Sequence, residues 1–299
     1  MEIKSFYDTR TSTFTYVVYD PETRDAVVID PVLDYEPVGS KVWTESVDEV
    51  IAFIQANDLH LHYVLETHAH ADHISGAQMI KEQFPEAKVA IGKNITVVQQ
   101  YFKKLFNLAE DFPTDGSQFD RLLDDNETFN AGSLAIEVIF TPGHTPACAT
   151  YKIADALFMG DAFFMPDSGT GRCDFPAGSA HDLYNSITQR IYTLPDETRI
   201  FMGHDYQPGG REVMNQSTVG EEKASNIHLK EGVTEEQFTK FRRERDAELD
   251  APKLLFQSIQ VNIDAGDLPD AEKGGTAYLK IPVNIFRPQI TGDFELSKI

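Results

Sequence analysis

A chain of 299 residues, 41% of them hydrophobic, is long enough for one large core or for a core with an appendage. It contains no apolar run of about eighteen residues, which excludes a membrane-spanning helix. With 26 Lys and Arg against 48 Asp and Glu the formal net charge is -22, so nucleic acid and anionic membrane surfaces are unexpected partners. An anionic ligand would need local cations at its site, since screening over about 8 Å only softens the long-range repulsion. The start, Met1-Glu2-Ile3-Lys4, lacks a basic segment followed by an apolar one, so no secretory leader is expected. Two cysteines, Cys148 and Cys173, make no disulfide framework and suit a reducing cytoplasm.

In chain order, Thr15–Tyr19 and Ala26–Asp30 read as strands around the turn-rich Asp20–Arg24, a hairpin. A helix is predicted from about residue 46, where Ser46 and Glu49 have capping-box spacing and Val47, Val50, Ile51 and Ile54 share a face. The strand His62–Glu66 runs into Thr67-His68-Ala69-His70-Ala71-Asp72-His73, and a helix follows through Gln78 to Phe84, ending before Pro85. Residues 99–130 read as an acidic surface loop with some helix. Strands resume at Ala135–Phe140, Ala149–Ile153 and Ala156–Met159. A helix opens at Ser179, with Asp182 at capping-box spacing and Leu183, Ile187, Ile191 and Leu194 on one side. Arg199–Met202 is a short strand. Thr234–Leu249 is a charged helix with Phe238 and Phe241 inward and Lys240–Arg245 as a solvated face. Tyr278–Asn284 follows a Gly-Gly turn and reads as extended. Strands, then helices, then strands again suit a layered α/β sandwich better than a strictly alternating parallel sheet.

The run His68-x-His70-x-Asp72-His73 places four potential metal ligands within six residues. In a continuous strand 68, 70 and 72 would share a face and 73 would point away, so the segment is expected to turn and let His73 converge. Three further strands end in a potential ligand: Val138–Phe140 before His144, Leu157–Met159 before Asp161, and Ile200–Met202 before His204. Strand ends are rigid supports, and together the four segments point to one mouth.

These ligands, in order and spacing over residues 10–210, resemble the metallo-β-lactamase superfamily. The resemblance implies an αββα sandwich, with residues 1–210 as the catalytic domain and 211–299 as a C-terminal extension packed on it. Thr141–Pro146 and Gly203-His204-Asp205-Tyr206 look more like the glutathione-handling branch, which includes glyoxalase II and persulfide dioxygenase. The Gly171-Arg172-Cys173-Asp174-Phe175 core is similar to the dioxygenases. The ending Tyr278-Leu279-Lys280-Ile281-Pro282 resembles the bacterial β-lactamase-hydrolase-like proteins. For a dioxygenase the resemblance assigns one Fe(II) per chain to His68, His144 and Asp161, a facial triad with open positions for substrate sulfur and O2. It implies oxidation of glutathione persulfide by O2 to sulfite and glutathione in the cytoplasm, by a homodimer.

His70, Asp72, His73 and His204 then support the ligands, or form a second metal site in the alternative, a glyoxalase II-like dinuclear zinc hydrolase of glutathione thioesters. A non-catalytic metal-binding protein is the third reading. Arg172 is the candidate grip for a substrate carboxylate, against a surface ion pair. Tyr206 is a candidate hydrogen-bonding partner of substrate. Cys173 is expected to be a buried, inert thiol, and His60, His62, His181 and His228 are read as structural or surface groups.

Overall fold

The computed structural model describes residues 1–283. The chain opens with strands β1 (Glu2–Asp8), β2 (Thr13–Tyr19), β3 (Asp25–Ile29), β4 (Val32–Glu36) and β5 (Lys41–Trp43), followed by helix α1 (Glu45–Ala56). Next come β6 (His60–Glu66), β7 (Ile74–Ser75), α2 (Ala77–Gln83), β8 (Lys88–Gly92), α3 (Ile95–Leu105), β9 (Arg121–Leu123), β10 (Thr128–Ala131) and β11 (Leu134–Phe140). The second half holds β12 (Ala149–Ile153), β13 (Ala156–Phe158), α4 (Ala180–Ser186), β14 (Arg199–Phe201), β15 (Gln216–Thr218), α5 (Val219–Ser225), α6 (Glu235–Asp246) and α7 (Leu255–Asn262).

Two six-stranded sheets form, ordered β1-β2-β3-β6-β8-β9 and β10-β11-β12-β13-β14-β15. The expected hairpin is β2–β3, antiparallel and pairing Tyr16 with Ile29. From β3 to β9 the first sheet is parallel, which suits strands such as Val-Ala-Ile buried on both faces. Tyr16, Val18 and Leu65 of the first sheet pack with Val138, Tyr151, Phe158 and Phe201 of the second. The Tyr16 ring meets Phe158 and Phe201 edge-on, with centroids 5.2 and 5.6 Å away. The outer face of the first sheet packs on α1, α2, α3 and α7 through Val50, Ile80, Val98 and Ile259. The second sheet is covered by α4, the helical turns at Ile187–Ile191 that continue it, and α6, through Leu183, Ile187 and Phe238. The layers are therefore helix, sheet, sheet, helix.

Several local expectations change. The N-cap position of α1 is Thr44, whose side chain makes no capping bond, and not Ser46. Ser46 instead gives its backbone N–H (2.8 Å) and hydroxyl (2.7 Å) to the buried Asp34, so a tertiary partner outcompetes the local box. Ser179 does cap α4, accepting from the Asp182 N–H at 3.1 Å. Residues 99–130 are more ordered than expected, because the buried Gln99 on α3 donates to Gln118 and to the Ile263 carbonyl and so ties the segment down. The 240–245 run is not simply solvated: Arg242 is 2% exposed, donates to the Thr170 carbonyl at 3.0 Å and pairs with Asp246 one turn on. Phe238 is fully buried, while Phe241 is half-buried against His228. Residues 278–283 form no strand, although the Lys280 backbone pairs with the Gln260 side chain. Asn284 lies outside the described residues. No helix among them is long and apolar enough to cross a membrane.

Candidate metal centre

At Glu66 the chain leaves β6 and turns, and residues 67–73 carry no regular structure before β7. Asp30, at the end of β3, holds the turn from below: Oδ1 accepts the Thr67 N–H at 2.7 Å and Oδ2 the Thr67 hydroxyl at 2.8 Å. The loops after β11, β13 and β14 bring His144, Asp161 and His204 to the same edge. Gly143, at φ 146°, lies under α4, where a Cβ would sit 2.3–2.5 Å from Leu183 atoms, so only glycine lets the His144 loop pass.

Four ligand groups result among the described residues, some sharing a member: His68, His144 and Asp161; His70, Asp72 and His73; Asp30, Glu66 and His70; and Asp72, Asp161 and His204. Within each, one donor atom per residue lies within 4.8 Å of the others. All seven sequence-predicted ligands therefore converge, and only Asp72 among them is not fully buried. His144 Nε2 is 3.5 Å from Asp161 Oδ2, and His204 Nε2 is 3.1 Å from Asp161 Oδ1 and 3.3 Å from Asp72. The buried atoms His68 Nε2, His70 Nδ1 and His73 Nε2 have no hydrogen-bond partner. Unmatched imidazole nitrogens are costly to bury unless an ion takes their lone pairs, so the donor set fits a metal.

The protein groups alone already sort the charges. Burial lowers His68 and His144, keeping both imidazoles neutral and able to ligate. Burial opposes ionisation of Asp161, but His204, then His144 and His68, outweigh it and hold the carboxyl below its ordinary range. Burial works against protonated His204 as well, yet Asp161 and Asp72 push it up to about 9. His70 follows His204 rather than His68 and His144. Its Nε2 sits between Asp30 (3.0 Å) and Glu66 (3.2 Å), which raise it despite burial.

The centre opens into a cavity of about 930 Å³. Trp43, Phe164, Phe175 and Tyr206 give it aromatic walls, and Arg10, Arg172, Arg242, Arg245 and Lys253 line it with cations. Arg172 pairs with Asp174 through two nitrogens (2.6 and 2.7 Å) and donates its third to the Asp250 carbonyl, so its fork is fully engaged within the chain. Arg10 is paired with Asp34 and Asp8. Arg245 and Lys253 are exposed and belong to no ion pair among the described residues. Tyr206 is 54% exposed and stacks on His204, 5.5 Å between centroids at 9°. Cys148 and Cys173 are free and buried. Burial pushes Cys148 up to about 12 and raises Cys173 as well, so neither is a ready thiolate.

Sequence reading misses Asp30 and Glu66, although both satisfy the rule it used elsewhere, an apolar strand ending in a potential ligand. It sets aside His228, which lines the cavity and accepts the Thr170 N–H at 3.0 Å.

Five imidazoles and two carboxylates gathered at the strand ends of a helix–sheet–sheet–helix sandwich, beneath a large open cavity, define a metal-dependent enzyme fold. The sequence matches the metallo-beta-lactamase superfamily over residues 8–204, and the chain belongs to that family. "Glyoxylase B2" of Dictyostelium discoideum is 46% identical over 287 residues, 96% of this chain and 98% of that protein. A "beta-lactamase hydrolase-like protein" of Agrobacterium fabrum is 47% identical over 283 residues, 95% of this chain and 65% of that protein. The mitochondrial persulfide dioxygenase ETHE1 of Homo sapiens is 32% identical over 229 residues, 76% of this chain and 75% of that protein.

Proposed function

We propose that this protein is a persulfide dioxygenase that converts glutathione persulfide, O2 and water to glutathione and sulfite. One Fe(II) would be held by His68, His144 and Asp161. The observation that carries this reading is that those three donors gather around one point, while His70 belongs to other groups and is engaged with Asp30 and Glu66. Two histidines and one carboxylate are the donor set of non-haem iron oxygenases. Iron bound there would supply the redox chemistry that joins O2 to a sulfur-centred substrate.

The chain's own residues do the rest. The aromatic walls offer an apolar surface to the sulfur. Arg245 and Lys253 offer unpaired positive charge to the carboxylates of an anionic substrate, which a chain of net charge -22 otherwise repels. Arg172 holds the wall through Asp174 and would reach a substrate carboxylate by exchanging that partner. The Tyr206 ring, stacked on His204, places its hydroxyl for hydrogen bonding at the mouth.

A second reading, a dinuclear zinc thioesterase, is favoured by the unpartnered His70 Nδ1 and His73 Nε2 and by the Asp72–Asp161–His204 group. The deciding experiment measures metal content and turnover together. The dioxygenase reading expects about one iron per chain and O2 uptake with glutathione persulfide. About two zincs per chain, with thioester hydrolysis and no O2 uptake, would overturn it.

A further inference from the structure

Helix α7 lies beyond the residues that match the family. Its apolar side, Leu255, Ile259 and Val261, is buried with residues of α2 and α3. At its end Asn262 is 4% exposed, and its amide points into the metal loop. Nδ2 donates to the main-chain carbonyls of His70 and His73, each at 2.8 Å, and Oδ1 accepts the Ser75 N–H at 2.8 Å. One side chain thus satisfies two carbonyls of the irregular segment 67–73 and the Ser75 N–H of β7 that follows it. The network continues inward: the Ser75 hydroxyl donates to Glu66, whose other oxygen lies 3.2 Å from His70 Nε2. All three bonds span 187 or more residues, so the loop's shape is set by a distant element.

We propose that Asn262 is a positioning residue of the metal centre: the C-terminal extension supplies the amide that fixes the backbone of the loop on which His68, His70, Asp72 and His73 are mounted. No other residue type of similar size presents two donors and an acceptor in this arrangement. Asp would keep an acceptor for Ser75 but set an oxygen against two carbonyls. Groups that orient metal-binding residues typically change metal affinity by about tenfold to a hundredfold when removed. The proposal rests on the metal-centre reading and is independent of which reaction the centre performs.

The test is chelator competition on the intact metal-loaded protein, with Zn(II) and Fe(II) measured separately, alongside thermal unfolding. Asn262→Asp and Asn262→Ala are expected to release metal at roughly tenfold to hundredfold lower chelator concentration than wild type. Gln99→Ala is the matched control. It removes another buried amide that holds the same helix end, through the Ile263 carbonyl, but makes no bond to residues 67–75. It is expected to lower the melting temperature and keep wild-type metal retention. If Asn262→Ala does not fold, the near-isosteric Asn262→Asp gives the same comparison. Wild-type retention in the Asn262 variants, or a loss no greater than that of Gln99→Ala, would overturn the proposal. A wild-type chain that binds no metal would overturn the metal-centre reading and this proposal together. A wild type that binds metal without taking up O2 would overturn the reaction alone, and the ranking of variants would still decide the role of Asn262.

Discussion

The Nδ1–H of His144 donates to the main-chain carbonyl of Arg172 at 2.7 Å. That bond fixes the imidazole as the tautomer whose Nε2 lone pair faces Asp161, 3.5 Å away. The Arg172 segment therefore meets the centre through its backbone, while its charged end is turned to Asp174.

This geometry makes Gly171 sensitive. A Cβ there would lie 1.9 Å from the Asp161 carbonyl oxygen, a backbone atom that cannot swing aside. Gly171→Ala should push the loop outward, draw the Arg172 carbonyl from His144, and cost about 1–3 kcal/mol of stability through overpacking. Metal retention should fall roughly tenfold or more, as for lost ligand-orienting bonds. Chelator titration and denaturant unfolding measure the two effects, and a variant that matches wild type in both would refute the tautomer argument.

The nuclearity of the centre separates two single substitutions. His144→Ala removes a member of the His68–His144–Asp161 group and should abolish iron binding. His204 belongs instead with Asp72 and Asp161, and its Nδ1 contacts the Ser12 carbonyl (3.1 Å) and the Thr13 hydroxyl (3.2 Å). His204→Ala should leave about one iron per chain under the mononuclear reading. Elemental analysis of both variants decides it, and loss of all metal from His204→Ala would point to a shared two-metal site.

Substrate capture should depend on the unpaired rim cations. Removing Arg245 or Lys253 is expected to raise KM for an anionic persulfide about fivefold each, roughly 1 kcal/mol for an exposed charge, with kcat little changed. The effect should shrink as salt rises, because both side chains are solvated. Steady-state kinetics at two ionic strengths tests this. A fall in kcat at constant KM would place these residues nearer the chemistry than the rim.

What could be read in the sequence follows the range of the interactions involved. His68–His73, His144, Asp161 and His204 are legible because each sits in or just beyond a strand's end, and ligand type and strand ending are both local properties. The family resemblance supplies the layering that local patterns leave open. Asp30 obeys the same strand-end rule and is overlooked, because its role of holding the Thr67 turn exists only once β3 has paired with β6. Arg242 is misread because a Lys-Phe-Arg-Arg-Glu-Arg run resembles a solvated face, while its partners are Thr170 in a distant loop and Asp246 one turn on. Asn262 carries no local mark at all, since its three bonds exist only once α7 has docked. Ser46 shows the converse case, a correct local pattern diverted by the tertiary acceptor Asp34.

Stability should carry a pH dependence of its own, remote from the metal centre. Glu222 on α5 is fully buried, and burial pushes its carboxyl up to about 8, with Glu221 and Asp167 adding to the rise against the Asn226 hydrogen bond. One of its oxygens has no partner and the other accepts from Asn226 at 2.8 Å. Between about pH 4.5, where an unfolded glutamate ionises, and pH 8, the folded chain keeps this proton and the unfolded chain releases it. Unfolding then releases a proton, so this contribution makes stability fall as pH rises across that window and level off above it. Glu222→Gln mimics the protonated form and should remove the slope. It should match wild type near pH 4.5 and exceed it at pH 8 by a few kcal/mol, since each tenfold change in proton affinity is worth about 1.4 kcal/mol. Urea unfolding at pH 5, 6.5 and 8 provides the check, and parallel curves for the two proteins would show that Glu222 is ionised in the folded chain.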